Sequence, residues 1–392
     1  MNHIEFSNFF KKQFKKKNVK LHLHEPIFDK SDINEINQCI KSGFVSSAGN
    51  QTLEFEKELK KFTKSKHVVA VVNGTMALYL ALHALGIKKN HEVLLPSLTF
   101  VATANSILYC GAIPHFIDIE KNTLGVDCNK LENYLRKIVI FKKGKAFNKY
   151  TGREIKALVP VHLYGIPVQM DNLMKIAKKY KLKVVEDAAE SLGSFFKGKH
   201  TGLFGNVGVL SFNGNKIITT GGGGALITNS TRLAKNLKHL STTAKEIIKF
   251  DSFHNKLGFN FRMPGLNASL GIAQIKKLKK YIQWKRKLNK IYQKIFNKNS
   301  NYKLIVENKN SKSNYWLNTI DLKTNSVLKR NMFIKSLIKK NINVRPIWFP
   351  LHFMPYLKKF PKMKLETTNN VFKSMVNLPS GPNIKFNIKN IK

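Results

Sequence analysis

The chain has 392 residues, 43% of them apolar, enough for a large core that buries roughly 75% of the unfolded surface. Its 23 glycines, 12 prolines and 3 cysteines exclude collagen-like, disulfide-stapled and wholly disordered classes. The 68 basic residues against 23 acidic ones give a formal charge of +45, which by itself points to polyanions.

Only seven of the basic residues are arginine, the residue suited to base readout and bidentate phosphate contacts. A lysine excess spread over the whole chain reads first as composition bias, with a polyanion surface as the alternative. Cys39, Cys110 and Cys128 form no CxxC pair, so neither a disulfide framework nor a metal site is expected, and a reducing cytoplasm fits.

In chain order, Met1 to Lys17 sets Phe6, Phe9, Phe10 and Phe14 among lysines. The stretch holds no apolar run of signal-peptide length. It reads as a short helix packed on the body, with contact to a membrane surface as the alternative. His67–Val72 predicts a strand and Thr75–Leu85 a helix. The apolar stretch Val68–Ile87 is broken by Asn73-Gly74-Thr75 and His83, so no membrane insertion is expected. Glu92–Pro96 predicts a strand, Ala102–Tyr109 a helix and Ile113–Ile119 a strand. The Lys- and Gly-rich stretch Phe141–Gly152 reads as a loop insertion. Strand Ala157–Val161, helix Met170–Tyr180 and strands Leu182–Glu186, Val207–Phe212 and Gly224–Thr228 follow.

Continuous Val/Ile/Leu strands alternating with helices argue for a mostly parallel sheet covered on both faces. Right-handed crossovers then gather the strand C-terminal ends on one edge, where ligands bind. Ser269–Phe296 predicts a long Lys-rich helix, followed by short elements. The expected division is a large α/β domain at residues 51–270 and a smaller α+β domain formed by 1–50 and 271–392.

The chemistry-bearing residues stand at predicted strand ends. Asn73-Gly74-Thr75 opens a helix, which makes it either an ordinary Thr N-cap or an anion cradle of free amides. Asp187 ends a strand, and it is either solvated or placed to hold a protonated ring nitrogen. Lys216 follows Ser211 by five positions and precedes Gly221-Gly222-Gly223-Gly224. That segment is either a flexible loop or a wrap around a ligand, with an amine made nucleophilic by apolar surroundings. Together, a phosphate cradle, an Asp and a Schiff-base Lys in this order suit pyridoxal phosphate.

Several segments resemble the DegT/DnrJ/EryC1/StrS aminotransferases. They are Asn73-Gly74-Thr75-Met76-Ala77-Leu78, Pro96 through Asn105, Glu186 through Gly193, Ser211 through Lys216, and Gly258-Phe259-Asn260-Phe261-Arg262. The resemblance runs from about residue 20 to 380. It implies the fold-type-I scaffold of pyridoxal 5'-phosphate aminotransferases, with a seven-stranded-type sheet between helices. It also implies amination of a nucleotide-linked keto sugar with glutamate as donor.

Carried over by motif, Lys216 would bear the cofactor and Asp187 would pair with its ring nitrogen. Gly74, Thr75 and Ser211 would bind its phosphate, Phe100 would lie on the ring, and Glu190 would stand near the ring oxygen or the substrate. Asn260 would reach the phosphate of a second subunit, implying a homodimer with shared sites. His352 and Arg345 would face the sugar nucleotide.

A finer resemblance is to the LegC branch, which is associated with 4-amino-4,6-dideoxy-N-acetylhexosamine nucleotides. It rests on Gly43 through Ser47, Thr151-Gly152-Arg153, Ile217 through Gly224 and Arg345 through His352. A C3 or perosamine-type aminotransferase is the alternative within the family. A non-catalytic regulator or nucleic-acid binder is the alternative outside it, and Lys216 with its partners argues against that reading.

Overall fold

The computed structural model describes residues 8, 10–12, 20–297 and 301–384. Helices α1 (Lys30–Ser42) and α2 (Gln51–Thr63) lead into β1 (His67–Val71), α3 (Gly74–Ala84), β2 (Glu92–Pro96), α4 (Ala102–Tyr109) and β3 (Ile113–Ile117). Then come α5 (Cys128–Ile138), β4 (Val139–Lys142), β5 (Lys145–Asn148), β6 (Ile155–Leu158), α6 (Met170–Lys179) and β7 (Lys183–Asp187). Short strands β8 (Phe195–Phe196) and β9 (Lys199–His200) precede β10 (Val207–Ser211), β11 (Gly224–Thr228), α7 (Thr231–Ser241) and the hairpin β12 (Lys245–Ile248)–β13 (Asp251–His254). The remainder is α8 (Gly265–Asn297), β14 (Lys303–Leu304), β15 (Ser311–Lys312), β16 (Asn318–Asp321), α9 (Val327–Ile338), β17 (Arg345–Pro346), α10 (Glu366–Ser374) and β18 (Met375–Leu378).

Seven strands form the main sheet in the order β1-β11-β10-β7-β6-β2-β3. The pairs β10/β7, β7/β6, β6/β2 and β2/β3 are parallel, and β11 runs antiparallel to both neighbours. This is the expected α/β sheet. Its central strands are buried along nearly their whole length because both faces are covered. One apolar cluster joins Leu78 and Leu82 of α3 to Leu94, Val184 and Leu226. A second joins Phe55 and Leu59 of α2 to Leu210, Ile227 and, on α8, Ile272 and Leu278.

The four-stranded sheet β14-β16-β18-β17 packs around the far half of α8, through Leu288, Tyr292, Ile320 and Val376. Phe10 is buried in this cluster, its ring 5.8 Å from that of Tyr292. Phe6, Phe9 and Phe14 lie outside the described residues. No helix among the described residues is long and apolar enough to cross a membrane.

Two expectations need correction. Phe141–Gly152 is not a plain loop: β4 and β5 pair over Val139–Lys142 and Lys145–Asn148, and Gly144 at φ 73° supplies the turn. Asn73, not Thr75, caps α3, because its Oδ1 accepts from the Met76 amide at 2.8 Å and places Thr75 inside the first turn.

Asp118, just past β3, ties α10 to the main sheet. It accepts from the amides of Thr367 (3.0 Å) and Thr368 (2.9 Å), the Thr368 hydroxyl (2.8 Å) and Lys130 Nζ (2.8 Å). Burial alone would raise its pKa, but these donors outweigh burial and hold it below the usual carboxylate value. The ionised form therefore stabilises the fold above the unfolded-state pKa, and that contribution is lost as pH falls through the lowered folded value. Asp118→Asn should cost about 3 kcal/mol at pH 7 in denaturant titration. The gap to wild type should close as the pH drops below the ordinary carboxylate range.

Candidate active site

The C-terminal ends of β2, β7 and β10 and the N-terminus of α3 meet on one edge of the sheet. The amides that open a helix have no intrahelical acceptor, and the helix dipole adds positive potential there. Gly74 sits against Ser211: a Cβ on Gly74 would stand 3.0 Å from Ser211 Cβ and 3.1 Å from its Oγ. Gly224 is equally constrained, since a Cβ there would lie 2.6 Å from the carbonyl carbon of Asn73. The missing side chains leave a cradle walled by backbone amides, the half-buried Thr75 hydroxyl and Ser211 Oγ.

Asp187 ends β7 and is buried. Thr103 Oγ1 donates to its Oδ2 at 2.8 Å, and the Ala189 amide to its Oδ1 at 3.2 Å. Burial pushes its pKa up, against the pull of Thr103, Ala189 and Lys216. A buried carboxyl held this way has use for a cation. Glu186, one residue earlier, is spent on structure, accepting from the amides of Gly202 (2.8 Å), Phe204 and Gly205 (2.6 Å each) and facing His162 at 3.0 Å.

Glu190 is also buried, and burial raises its pKa despite Lys216 and the Tyr164 amide. Its Oε2 accepts from that amide at 2.7 Å, while Oε1 lies 3.5 Å from Lys216 Nζ. Tyr164 makes this contact from left-handed backbone, φ 54° and ψ 17°. For a bulky residue that conformation is a genuine outlier.

Lys216 is only partly buried, and its amine stands 4.1 Å from the Trp316 ring centroid. The apolar setting expected from its glycine-flanked sequence is thus corrected, because an aromatic face and a carboxylate meet the amine. Trp316 is itself fixed, its Nε1 donating to the Asn215 carbonyl (2.7 Å) and its own carbonyl accepting from the buried Lys285 Nζ (3.0 Å).

Phe100 is half exposed, its ring 5.2 Å from that of Trp348. His352 is buried, its Nδ1 2.7 Å from Ser97 Oγ just past β2, and burial lowers its pKa. Lys216, Glu190, Asp187, Gly74 and Ser211 are therefore brought to one edge, with Phe100 and His352 on its flank. Arg345 and Asn260 are exposed, in register with Asn377 and Thr242 respectively. Neither touches Lys216, Asp187 or Glu190 among the described residues.

Sequence reasoning missed Thr103, Tyr164, Trp316 and His24. Both ring nitrogens of His24 are buried without a partner, and its ring lies 6.5 Å from that of Trp316. Thr103 lies inside the Pro96–Asn105 segment, in the first turn of α4, and could have been singled out as a hydroxyl facing the strand end.

These residues gather on one edge of a mostly parallel α/β sheet. The DegT/DnrJ/EryC1/StrS aminotransferase family model matches residues 26–388, and the chain belongs to that family. It is 34% identical to GDP-perosamine synthase of Escherichia coli O157:H7, over 92% of this chain and 93% of that one. It is also 34% identical to the Bacillus subtilis (strain 168) putative pyridoxal phosphate-dependent aminotransferase EpsN, over 93% and 92%. Among solved structures, Helicobacter pylori PseC, an aminotransferase involved in the biosynthesis of pseudaminic acid, superposes with a TM-score of 0.83 at 26% identity, covering 95% of this chain and 96% of that one.

A buried acid lifted above its unfolded value costs stability as pH rises, because folding then opposes ionisation. Asp187→Asn should therefore raise the melting temperature of the cofactor-free protein by a few degrees at pH 7. The gain should vanish near pH 3, below the unfolded carboxylate value, in paired thermal melts.

Proposed function

We propose that this aminotransferase uses pyridoxal 5'-phosphate to convert a nucleotide-linked 4-keto-6-deoxy-N-acetylhexosamine to its 4-amino sugar, with glutamate as amino donor. The observation that carries the reading is the convergence of Lys216, Asp187 and the Gly74–Ser211 cradle on one sheet edge.

These residues fit the cofactor. The cradle left open at Gly74 suits a phosphate, to be held by the amides of Gly74 and Thr75 and the hydroxyls of Thr75 and Ser211. Asp187 suits a protonated ring nitrogen, since a cation offsets the cost of its ionised, buried form. When bound, the cofactor supplies an electron sink for the carbon that bears the transferred nitrogen.

Lys216 Nζ would anchor the cofactor and, once the amino group of the donor has displaced it, would take and return the proton at that carbon. The Trp316 face and Glu190 fix where the amine stands. Asp187 keeps the ring nitrogen cationic, and Thr103 and the Ala189 amide keep Asp187 aimed. Phe100 would cover the ring face, and Glu190 would stand near the ring oxygen or the substrate. His352, set by Ser97, and the exposed Arg345 face the sugar nucleotide.

The 4-amino, LegC-type assignment rests on the motifs Gly43 through Ser47, Thr151-Gly152-Arg153, Ile217 through Gly224 and Arg345 through His352. The perosamine synthase relative supports the second reading, a perosamine-type substrate. Surface-polysaccharide synthesis in the cytoplasm is the setting that suits either product.

A homodimer completes the site. The β12–β13 hairpin is exposed along its length, with Phe250 fully exposed and Ile247 at 74%. Asn260 follows it at the surface. An apolar hairpin left bare in this way is suited to cover a second copy. The division into a 51–270 unit and a 1–50 plus 271–392 unit belongs to the same reading, since each of the two larger sheets draws its strands from one of them.

Lys216→Ala should bind the cofactor without the visible absorbance band of a lysine-linked cofactor, and turnover should fall by at least about 1000-fold. The substrate is tested by incubation with glutamate and a panel of nucleotide-linked 4-keto sugars, read by mass and NMR. Amination at C3, or none of the panel accepted, contradicts the assignment. Phe250→Asp should shift the protein towards monomer in sedimentation and lower turnover in parallel.

A further inference from the structure

A cavity of about 840 Å³ lies between α2, α8 and the β8/β15 strands. None of Lys216, Asp187, Glu190 or Ser211 lines it. Its volume lies within the range of small-ligand sites. The apolar part of the wall is Phe62, Phe195, Ile275 and Ile282. Phe62 and Phe195 both meet the buried His200 ring edge-on, at 6.4 and 5.3 Å, which fixes them as a floor. Burial lowers the His200 pKa to about 4, so the floor is uncharged at neutral pH.

Most of the rest of the wall is cationic. Two of its basic residues are already matched: Lys276 with Glu35 at 2.9 Å, and Arg286 with Glu307 at 2.6 Å. Lys61, Lys64, Lys279, Lys287, Lys290 and Lys312 have no carboxylate within 4 Å among the described residues, and Glu58 is the one acid in the lining. Lys279 and Lys287 lie eight residues apart on α8, with Lys290 three further on, so they share one helix face. Like charges stacked along one face repel. Unpaired lysines are common in so basic a chain, and what sets this group apart is its place around an apolar, aromatic wall.

We propose that this cavity is a binding site for a nucleoside polyphosphate, separate from the catalytic edge. The base lies on Phe62 and Phe195, and the phosphates meet the α8 lysines. Aromatic rings take up a flat base, while the lysines act as point charges for phosphate. The inference does not depend on the sugar assignment.

The test titrates cofactor-loaded protein with ADP, UDP and inorganic pyrophosphate by calorimetry at 0.15 M salt, with hydrogen–deuterium exchange on the same samples. A nucleotide should bind at least tenfold tighter than pyrophosphate and protect peptides spanning 58–64, 193–195 and 276–290. Lys287→Gln/Lys290→Gln should weaken binding at least tenfold. Lys175→Gln/Lys178→Gln, a pair of equal charge and spacing on α6, should change it less than twofold. Protection confined to 73–76 and 211–224 would assign the nucleotide to the catalytic edge and overturn the proposal. Equal affinity for pyrophosphate, equal losses in both double variants, or no saturable binding would also overturn it.

Discussion

The structure turns on a carboxyl that the fold buries and does not neutralise. Asp187 has a hydroxyl and an amide for company, and burial outweighs both. Leaving an acid in that state lowers the stability of the empty protein, and a cation placed against it would recover it. The neighbouring residues are arranged around this demand. Glu186 consumes its own charge on the Gly202–Gly205 loop and His162, so the strand end stays rigid. Glu190, three residues beyond Asp187, is held by the amide of a strained Tyr164 and turned towards Lys216. Local strain at a site built for chemistry is a common expense of preorganisation.

The lysine is placed by parts of the chain far apart in sequence. Ser211 ends β10, and the turn after it brings Lys216 back over Trp316, whose carbonyl is pinned by Lys285 from the middle of α8. The long helix thus serves both sheets. Its first half packs on the main sheet through Ile272 and Leu278, and its second half on the small sheet through Leu288 and Tyr292. Asp118 adds a polar tie between the same two regions. This connection lets residues after position 300, Trp316, Trp348 and His352, stand beside strand ends formed before position 220.

Much of this was legible in sequence, for identifiable reasons. The buried strands are continuous apolar runs with glycine or polar punctuation, and Glu92–Pro96 and Gly224–Thr228 match the structure residue for residue. Asp187 ends a strand and Lys216 lies in the turn that follows one, which is where ligand chemistry collects in parallel sheets. The amphipathic helices α1, α2, α5 and α7 were not read, since lysines and asparagines dominate their exposed faces and dilute the apolar stripe. The β4–β5 hairpin was hidden for the same reason, with Lys142, Lys143 and Lys145 around its turn. Tyr164, Trp316 and His24 could not be read at all. Their relation to Lys216 exists only through long-range packing, which no local pattern records.

In a chain with so many lysines, the central claim is that one of them, Lys216, carries the cofactor. The direct measurement is borohydride reduction of the protein after incubation with pyridoxal 5'-phosphate, followed by peptide mass spectrometry. The account predicts one stoichiometric label, on the peptide containing Lys216. A label spread over surface lysines, or a single label on a different lysine, would contradict it.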